Sequence, residues 1–534
     1  MKQLLTFVFT LCISISTLAQ IKQEKRLTFE LEPNDSEYMV FPVKGEAIFL
    51  IRNMMPQKLF DKKQVELIKI DEDFNAPTVW RFEVKDGRTA TGFDYEAPYF
   101  YLLIGDPYSK QKDLTLYTIN TETELYSEQN IDNLLSLELQ DFAVIDNKAI
   151  FFGKYDYRPA IQIFDMSDRT LSTVRNVYNN NTEVLDLRAD QKNDLFDLFI
   201  KDKDSFKNMI HTVYTFDAAG EKIRSYELEI PERIDVEAGM LSNLDEYGQI
   251  TVGSYNSTQN KEGRGFFIAS TNIFGETEMR WYPITDMPDY FRYLKEKPFE
   301  KMQRRILRKK EKGAEIKVNH SSMMRDIYLE DEYDMVFTEI YYPITRGTRN
   351  SFANTYGNRS LNGFNQLDNF STLGGQPFAM GGSNNVVSEY KYIGGNVMVI
   401  DKQGELEWSY TVGYNSVRST KDDGFAAFGM YDKAGLMAYY EDMKIKAYAI
   451  KDGKPSYELE AEISLSDDTE RLRSTVDSSV ELQHWYQDNF IISGVQFLRR
   501  QAADGSVTNH KVFFVNQFKV LSSEEIFEME KPDK

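Results

Sequence analysis

Residues 389–410 read EYKYIGGNVMVIDKQGELEWSY. An apolar-rich run, VMVID, is followed by a polar turn ending in Gly404 and then by a second alternating run, ELEWSY. Alternation with period two marks a strand with one buried face, and Asp and Gly between two such runs mark a hairpin. The same pattern recurs along the chain, in VELIKIDEDFNAPTVWRFEV (65–84), LTLYTINTETELYSE (114–128), IQIFDMSDRTLSTV (161–174), VYTFDAAGEKIRSYELE (213–229), FFIASTNIFGETEMRWYPI (266–284) and IKAYAIKDGKPSYELE (445–460). Another pair of runs joined by a short acidic or glycine-bearing turn precedes many of them, as at 139–155, 187–202, 242–255, 324–342 and 426–442. Four antiparallel strands in about 45 residues is the period of a propeller blade.

The expected fold is therefore all-β: a single β-propeller of seven or eight four-stranded blades, eight preferred. The last unit, SVELQHWYQDNFIISGV (479–495) with HKVFFVNQFKV (510–520), offers three strands. The unassigned run RLTFELE (26–32) is expected to supply the fourth and to close the propeller without an open edge. Trp408 is expected to pack between neighbouring blades. Two stacked sandwiches would also give many short strands, but they predict no constant four-strand period.

The 534 residues are 41% hydrophobic and 28% charged, a globular balance. A formal net charge of −21 excludes general nucleic-acid binding, which requires a basic footprint. The opening segment MKQLLTFVFTLCISISTLAQ carries one Lys, a short apolar run and Thr17-Leu18-Ala19, the features of a secretory signal peptide over 1–19. The apolar run is shorter than the ~20 residues that a membrane span requires. Leu11 before the single Cys12 does not fit a lipoprotein signal. The domain expected after cleavage, 20–534, contains no cysteine and no transmembrane segment, so it has neither disulfides nor thiol chemistry.

Two insertions interrupt the period. The first, DMPDYFRYLKEKPFEKMQRRILRKKEKG (286–313), predicts a helix with Pro298 in its first turn, Gly313 past its end and an apolar stripe of Phe299, Met302 and Ile306. Its other face is basic. Arg304, Arg305 and Arg308 there are candidate contacts for an acidic partner or for anionic headgroups, in peripheral membrane association. A solvated face is the plainer reading. The second insertion, 346–389, is rich in Gly, Asn and Ser yet carries Phe352, Tyr356, Phe364, Phe370 and Phe378. Flexible linkers lack such rings, which either pin the loop to the propeller or meet a partner or a sugar.

Catalytic signatures are sparse. The four histidines, His211, His320, His484 and His510, show no paired spacing, and no HExxH or GxSxG is present, so no metal or cofactor is predicted. His211 and His484 read as structural. Runs such as DEDFN (71–75) and DLRADQKND (186–194) read as turns rather than calcium loops, because they lack EF-hand spacing. Among 84 acidic residues a carboxylate pair for glycoside cleavage at a channel mouth is conceivable, but sequence offers no way to choose it.

The segments MRDIYLEDEYDMVFTEIYYP (324–343), EYKYIGGNVMVIDKQGELEWSY and GFAAFGMYDKAGLMAYYED resemble secreted β-propeller-like proteins of Bacteroidota over residues 320–450. Where that group leads one to expect IPKxQ after the Trp, this chain has YTVGYNS (410–416). The resemblance implies a Gram-negative envelope setting, in the periplasm or at the outer membrane, and carries over no catalytic residue. The function expected is a non-catalytic envelope binding or scaffold protein whose partner is an envelope protein or glycan. The alternative is a carbohydrate-binding or carbohydrate-active protein that uses channel-mouth carboxylates.

Overall fold

A computed structural model describes residues 21–520, apart from 33–34, 55–61, 107–109, 178–181, 205–207, 258–262, 348–384, 420–423, 432–433, 466–468 and 502–506 and the positions 86, 111, 157, 176, 247, 315 and 331. The expected signal peptide, 1–19, lies outside the described residues. The fold is all-β: eight antiparallel sheets in sequence order form the blades of a β-propeller. Blades 1 to 8 span 39–83, 89–131, 138–173, 183–228, 234–283, 321–419, 427–462 and 470–520. Each of the first seven runs strictly 1-2-3-4 across its sheet.

In every one of these seven blades the quoted hairpin is the third and fourth strand. In blade 6 the strands Asn385–Asp401 and Leu406–Ser419 flank the turn at Gly404, whose φ of +80° suits glycine. The Tyr282 hydroxyl of blade 5 donates to the Gly404 carbonyl at 2.5 Å and accepts the Leu406 N–H at 3.2 Å, which fastens this turn to its neighbour. Trp408 is half-buried. A bulge at Glu407 pairs Trp408 with Val399 and Leu406 with Ile400, so Trp408 and Leu406 lie on opposite faces of the sheet.

Blade 8 is assembled as the sequence requires, with two differences of detail. The N-terminal strand is Ile21–Glu30, earlier than expected, and pairs with residues 512–520 of the strand Val507–Val520 as the outermost strand. The innermost strand is broken into Glu470–Thr475 and Glu481–Tyr486, both paired to Asn489–Gln501. Its first piece, ERLRST, is exposed and charged and carries no alternation.

The chain divides into two compact units: Asn34–Phe425, which holds blades 1 to 6, and Met1–Pro33 with Ala426–Lys534, which holds blades 7 and 8. In the six-blade unit the first strands of blades 2 to 6 touch one another in succession, so they form its inner layer. Within this unit apolar side chains fill the spaces between adjacent sheets. Phe49, Phe100 and Tyr95 pack between blades 1 and 2, Phe142 and Phe151 between 2 and 3, and Phe199 and Phe267 between 4 and 5. Burying such rings removes apolar area from water, the main stabilising term of the fold. In the other unit Phe490, Phe514 and Phe518 of blade 8 pack with Leu436, Ala438 and Ala447 of blade 7.

Candidate functional site

Two groups of acidic residues lie on the inner strands of blades 2 to 5. In blades 2 to 6 the first strand carries a register break: after Ala90, Leu139, Val184, Val236 and Met324 one extra residue intervenes before pairing resumes. A bulge twists the strand and re-aims its side chains. Asp141 and Asp186 follow these breaks directly, and Asp94 lies three residues past its own. All three are buried.

These carboxylates accept backbone N–H groups. Asp94 Oδ2 accepts the Val144 N–H of the next blade at 2.7 Å, and Asp186 Oδ2 accepts the Leu241 N–H of the next blade at 2.7 Å. Asp141 Oδ1 accepts from Phe142 at 2.9 Å. The Gln191 amide, from blade 4, donates to Asp94 of blade 2 at 3.2 Å and to the Val144 carbonyl of blade 3 at 3.1 Å, tying three blades together. Burial pushes the Asp94 and Asp186 carboxyls up to about 7 against the opposing pull of these N–H groups and, for Asp186, of Arg188. Asp141 rises well above the usual range through burial, with Asp94 and Asp186 adding to the effect. Asp94 and Asp186, so enclosed and bonded across a blade boundary, act as fasteners between blades.

The second group lies at the starts of the inner strands of blades 4 and 5. Lys201 Nζ sits 2.6 Å from Asp235 and 3.6 Å from Glu183 and donates to the Val236 carbonyl at 3.0 Å. Glu237, the bulge residue of blade 5, accepts the Ser321 hydroxyl of blade 6 at 2.7 Å. Burial raises the carboxyls of Glu183 and Glu237, with Lys201 opposing the shift at Glu183. His211, the register partner of Lys201, is 1% exposed, and neither ring nitrogen has a hydrogen-bond partner among the described residues. Burial, then Lys201, pushes it down to about 4, so it is neutral at physiological pH. His484 packs on Phe490 with ring centroids 5.1 Å apart, and its Nε2 meets the Gln487 carbonyl at 2.8 Å. Both histidines hold structural positions.

The basic insertion is a built element. Short 3-10 turns at Ile284–Asp286 and Pro288–Tyr293 lead into helix α1, Glu296–Lys310. The helix ends in a Schellman arrangement: Ala314 N–H bonds the Lys309 carbonyl, Gly313 N–H bonds the Lys310 carbonyl, and Gly313 has φ +59°. Phe299 and Ile306 are buried and Met302 packs beside them, among Met240, Phe266 and Ile268 of blade 5 and Met324, Ile340 and Met398 of blade 6. The predicted apolar stripe thus docks α1 between two blades.

Tyr293 locks the preceding turn. Gly394 and Gly413, cross-strand partners in blade 6, leave room for it: a Cβ on Gly413 would stand 2.7 Å from the Tyr293 Cα, and one on Gly394 3.3 Å from its Cβ. Tyr293 Oη lies 3.2 Å from His320 Nε2, and the rings of Tyr290, Tyr293 and Tyr342 surround that buried imidazole at centroid distances of 5.7, 5.8 and 5.8 Å.

Arg304, Arg305 and Arg308 lie together on the exposed face of α1. The other candidates, Phe352, Tyr356, Phe364, Phe370 and Phe378, lie outside the described residues. The insertion that carries them is shorter at both ends than the expected 346–389, because the middle strands of blade 6 run Tyr333–Gly347 and Asn385–Asp401. Ser321, the first residue of the strand that follows α1, pairs with Tyr341, and Tyr333–Gly347 continues six residues beyond that pair. Both insertions therefore join blade 6 at the same end of its strands. No helix among the described residues is long and apolar enough to cross a membrane.

No protein-family profile matches the chain, and no curated protein does. Among solved structures, the chain is similar to a polysaccharide lyase, Uly1, at 8% identity and a TM-score of 0.39, covering 94% of this chain and all of that one. It is similar to the Dos1 propeller at 11% identity and a TM-score of 0.34, covering 81% and 92%. A prolyl endopeptidase matches at 9% identity and a TM-score of 0.35 over 82% of this chain and 51% of that one, so the chain spans about half its length.

Proposed function

We propose that the protein is a non-catalytic binding or scaffold protein of the cell envelope, exported to the periplasm or held at the outer membrane, and that it meets its partner at the end of blade 6 where both insertions emerge. The observation that carries this reading is α1: a helix packed by its apolar stripe between blades 5 and 6, capped at its C-terminus, and presenting cations to solvent from a chain of net charge −21. A fixed element that concentrates the minority charge is what a recognition surface needs, because pre-organisation lowers the ordering cost of binding. The segment between Gly347 and Asn385 enters as a second contact through its aromatic residues.

The carbohydrate-active alternative ranks second because Asp94, Asp141 and Asp186 are enclosed and engaged by backbone N–H groups, away from any substrate. The test is affinity capture from native envelope by the wild-type chain and by the Arg304→Glu, Arg305→Glu, Arg308→Glu variant. Loss of a defined co-purifying component in the variant supports the platform. Depolymerisation of a polysaccharide by the purified wild-type protein would replace it with the enzymatic reading.

A further inference from the structure

We propose that the solvent face of α1 is a binding strip for a linear, carboxylate-bearing polysaccharide; this rests on the platform reading and names its ligand class. Lys297, Lys301, Arg304, Arg305 and Arg308 fall at i, i+4, i+7, i+8 and i+11, which at 100° per residue places them within an arc of roughly 100°. The strip is about 16 Å long at 1.5 Å rise per residue. All five are exposed, and none has an ion-pair partner among the described residues. The neighbouring cations differ: Arg292 pairs with Asp289 at 2.8 Å and Lys310 with Asp286 at 2.9 Å.

Three observations select the ligand. First, the apolar face of α1 is already buried among blades 5 and 6, so the helix cannot lay that face into a bilayer as an interfacial helix does. Second, the strip is narrow. Exposed Glu296, Glu300 and Glu311 border it along one side, and the chain as a whole is acidic, so a broad anionic surface would meet repulsion beside the contact. A single polymer strand lying along the helix meets only the cations. Third, three of the five are arginines, whose planar forks bind carboxylates with two parallel hydrogen bonds. With the adjacent Arg304 and Arg305 counted as one level, the cations lie about 4.5–6 Å apart along the axis, a repeat suited to a chain with one carboxylate per sugar.

The experiment is titration of the full chain with defined oligomers of polygalacturonate, at several salt concentrations. Its comparison arms are dextran, polyglutamate and mixed phosphatidylglycerol and phosphatidylcholine vesicles. Expected are binding of the uronate oligomer that weakens with salt, a loss of about tenfold or more in the Arg304→Glu, Arg305→Glu, Arg308→Glu variant, and weaker or absent binding in the other arms. Since these side chains are exposed, the variant's circular dichroism and melting should match wild type. Equal affinity in wild type and variant overturns the strip, and polyglutamate or vesicles binding as tightly as the uronate overturns the ligand class. If the uronate fails while wild-type chain still retains a native envelope component, the polymer assignment falls and the platform stands. If the wild-type chain retains nothing, the platform falls as well.

Discussion

The carboxylate of Asp186 in blade 4 accepts the backbone N–H of Leu241 in blade 5 at 2.7 Å, with both groups buried. The bulge at Leu185 aims the side chain across the blade boundary. Replacing Asp186 by Ala leaves a buried N–H without a partner, which costs about 1–3 kcal/mol. Asp186→Ala should lower the denaturant midpoint accordingly, with Asp186→Asn less affected because its amide oxygen still accepts. Equal midpoints for wild type and Asp186→Ala would show that the contact fastens nothing.

The raised carboxyls predict a pH dependence. Their folded-state pKa lies above the unfolded value of about 4, so their stabilising contribution is full below that pH and is lost as pH rises through the folded values. Those values are about 7 for Asp94 and Asp186 and about 6 for Asp197. His211 and His320, both pushed down to about 4 by burial, act in the opposite sense: their contribution is present above about pH 6.5 and lost as pH falls. Between about pH 6.5 and pH 8 the carboxyl effect therefore governs, and the melting temperature should fall. Combining Asp94→Asn with Asp186→Asn should flatten that slope. An unchanged slope would remove these two groups from the account.

Among the described residues the buried His211 ring makes no hydrogen bond. His211→Leu should be neutral or stabilising by up to about 1 kcal/mol in thermal unfolding. A loss of several kcal/mol would mean that the imidazole serves a contact of its own.

Gly413 approaches Tyr293 too closely to carry a side chain. Gly413→Ala should cost about 1–3 kcal/mol through overpacking and should expose the 286–313 segment to limited proteolysis. Resistance to proteolysis equal to wild type would show that the seat does not fasten the helix.

The outer hairpins were legible because their turns state themselves: Asp401 to Gly404, Asp217 to Gly220 and Asp452-Gly453 each separate alternating runs. The inner strands were harder to read. Ile234–Leu241, the first strand of blade 5, lies ahead of the run at 242–255 that the sequence pattern marks, because the bulge at Glu237 breaks its alternation. Glu470–Thr475 carries no apolar signal in sequence, because it is an exposed, charged strand. At the candidate site, the two stripes of α1 follow from helical spacing alone. The fasteners Asp94 and Asp186 do not, because which of 84 acidic residues turns into a blade boundary depends on bulges that no local pattern marks. The Gly394 and Gly413 seat for Tyr293 joins residues more than a hundred positions apart in sequence.

The central claim is that α1 holds the protein to its envelope partner through charge. The most direct measurement is the fraction of protein that sediments with native envelope as salt is raised, for wild type and for Arg304→Glu, Arg305→Glu, Arg308→Glu. The account predicts that wild type is retained at low salt and released as salt screens the contact, while the variant stays in the supernatant throughout. Retention of the variant equal to wild type at every salt concentration would contradict it.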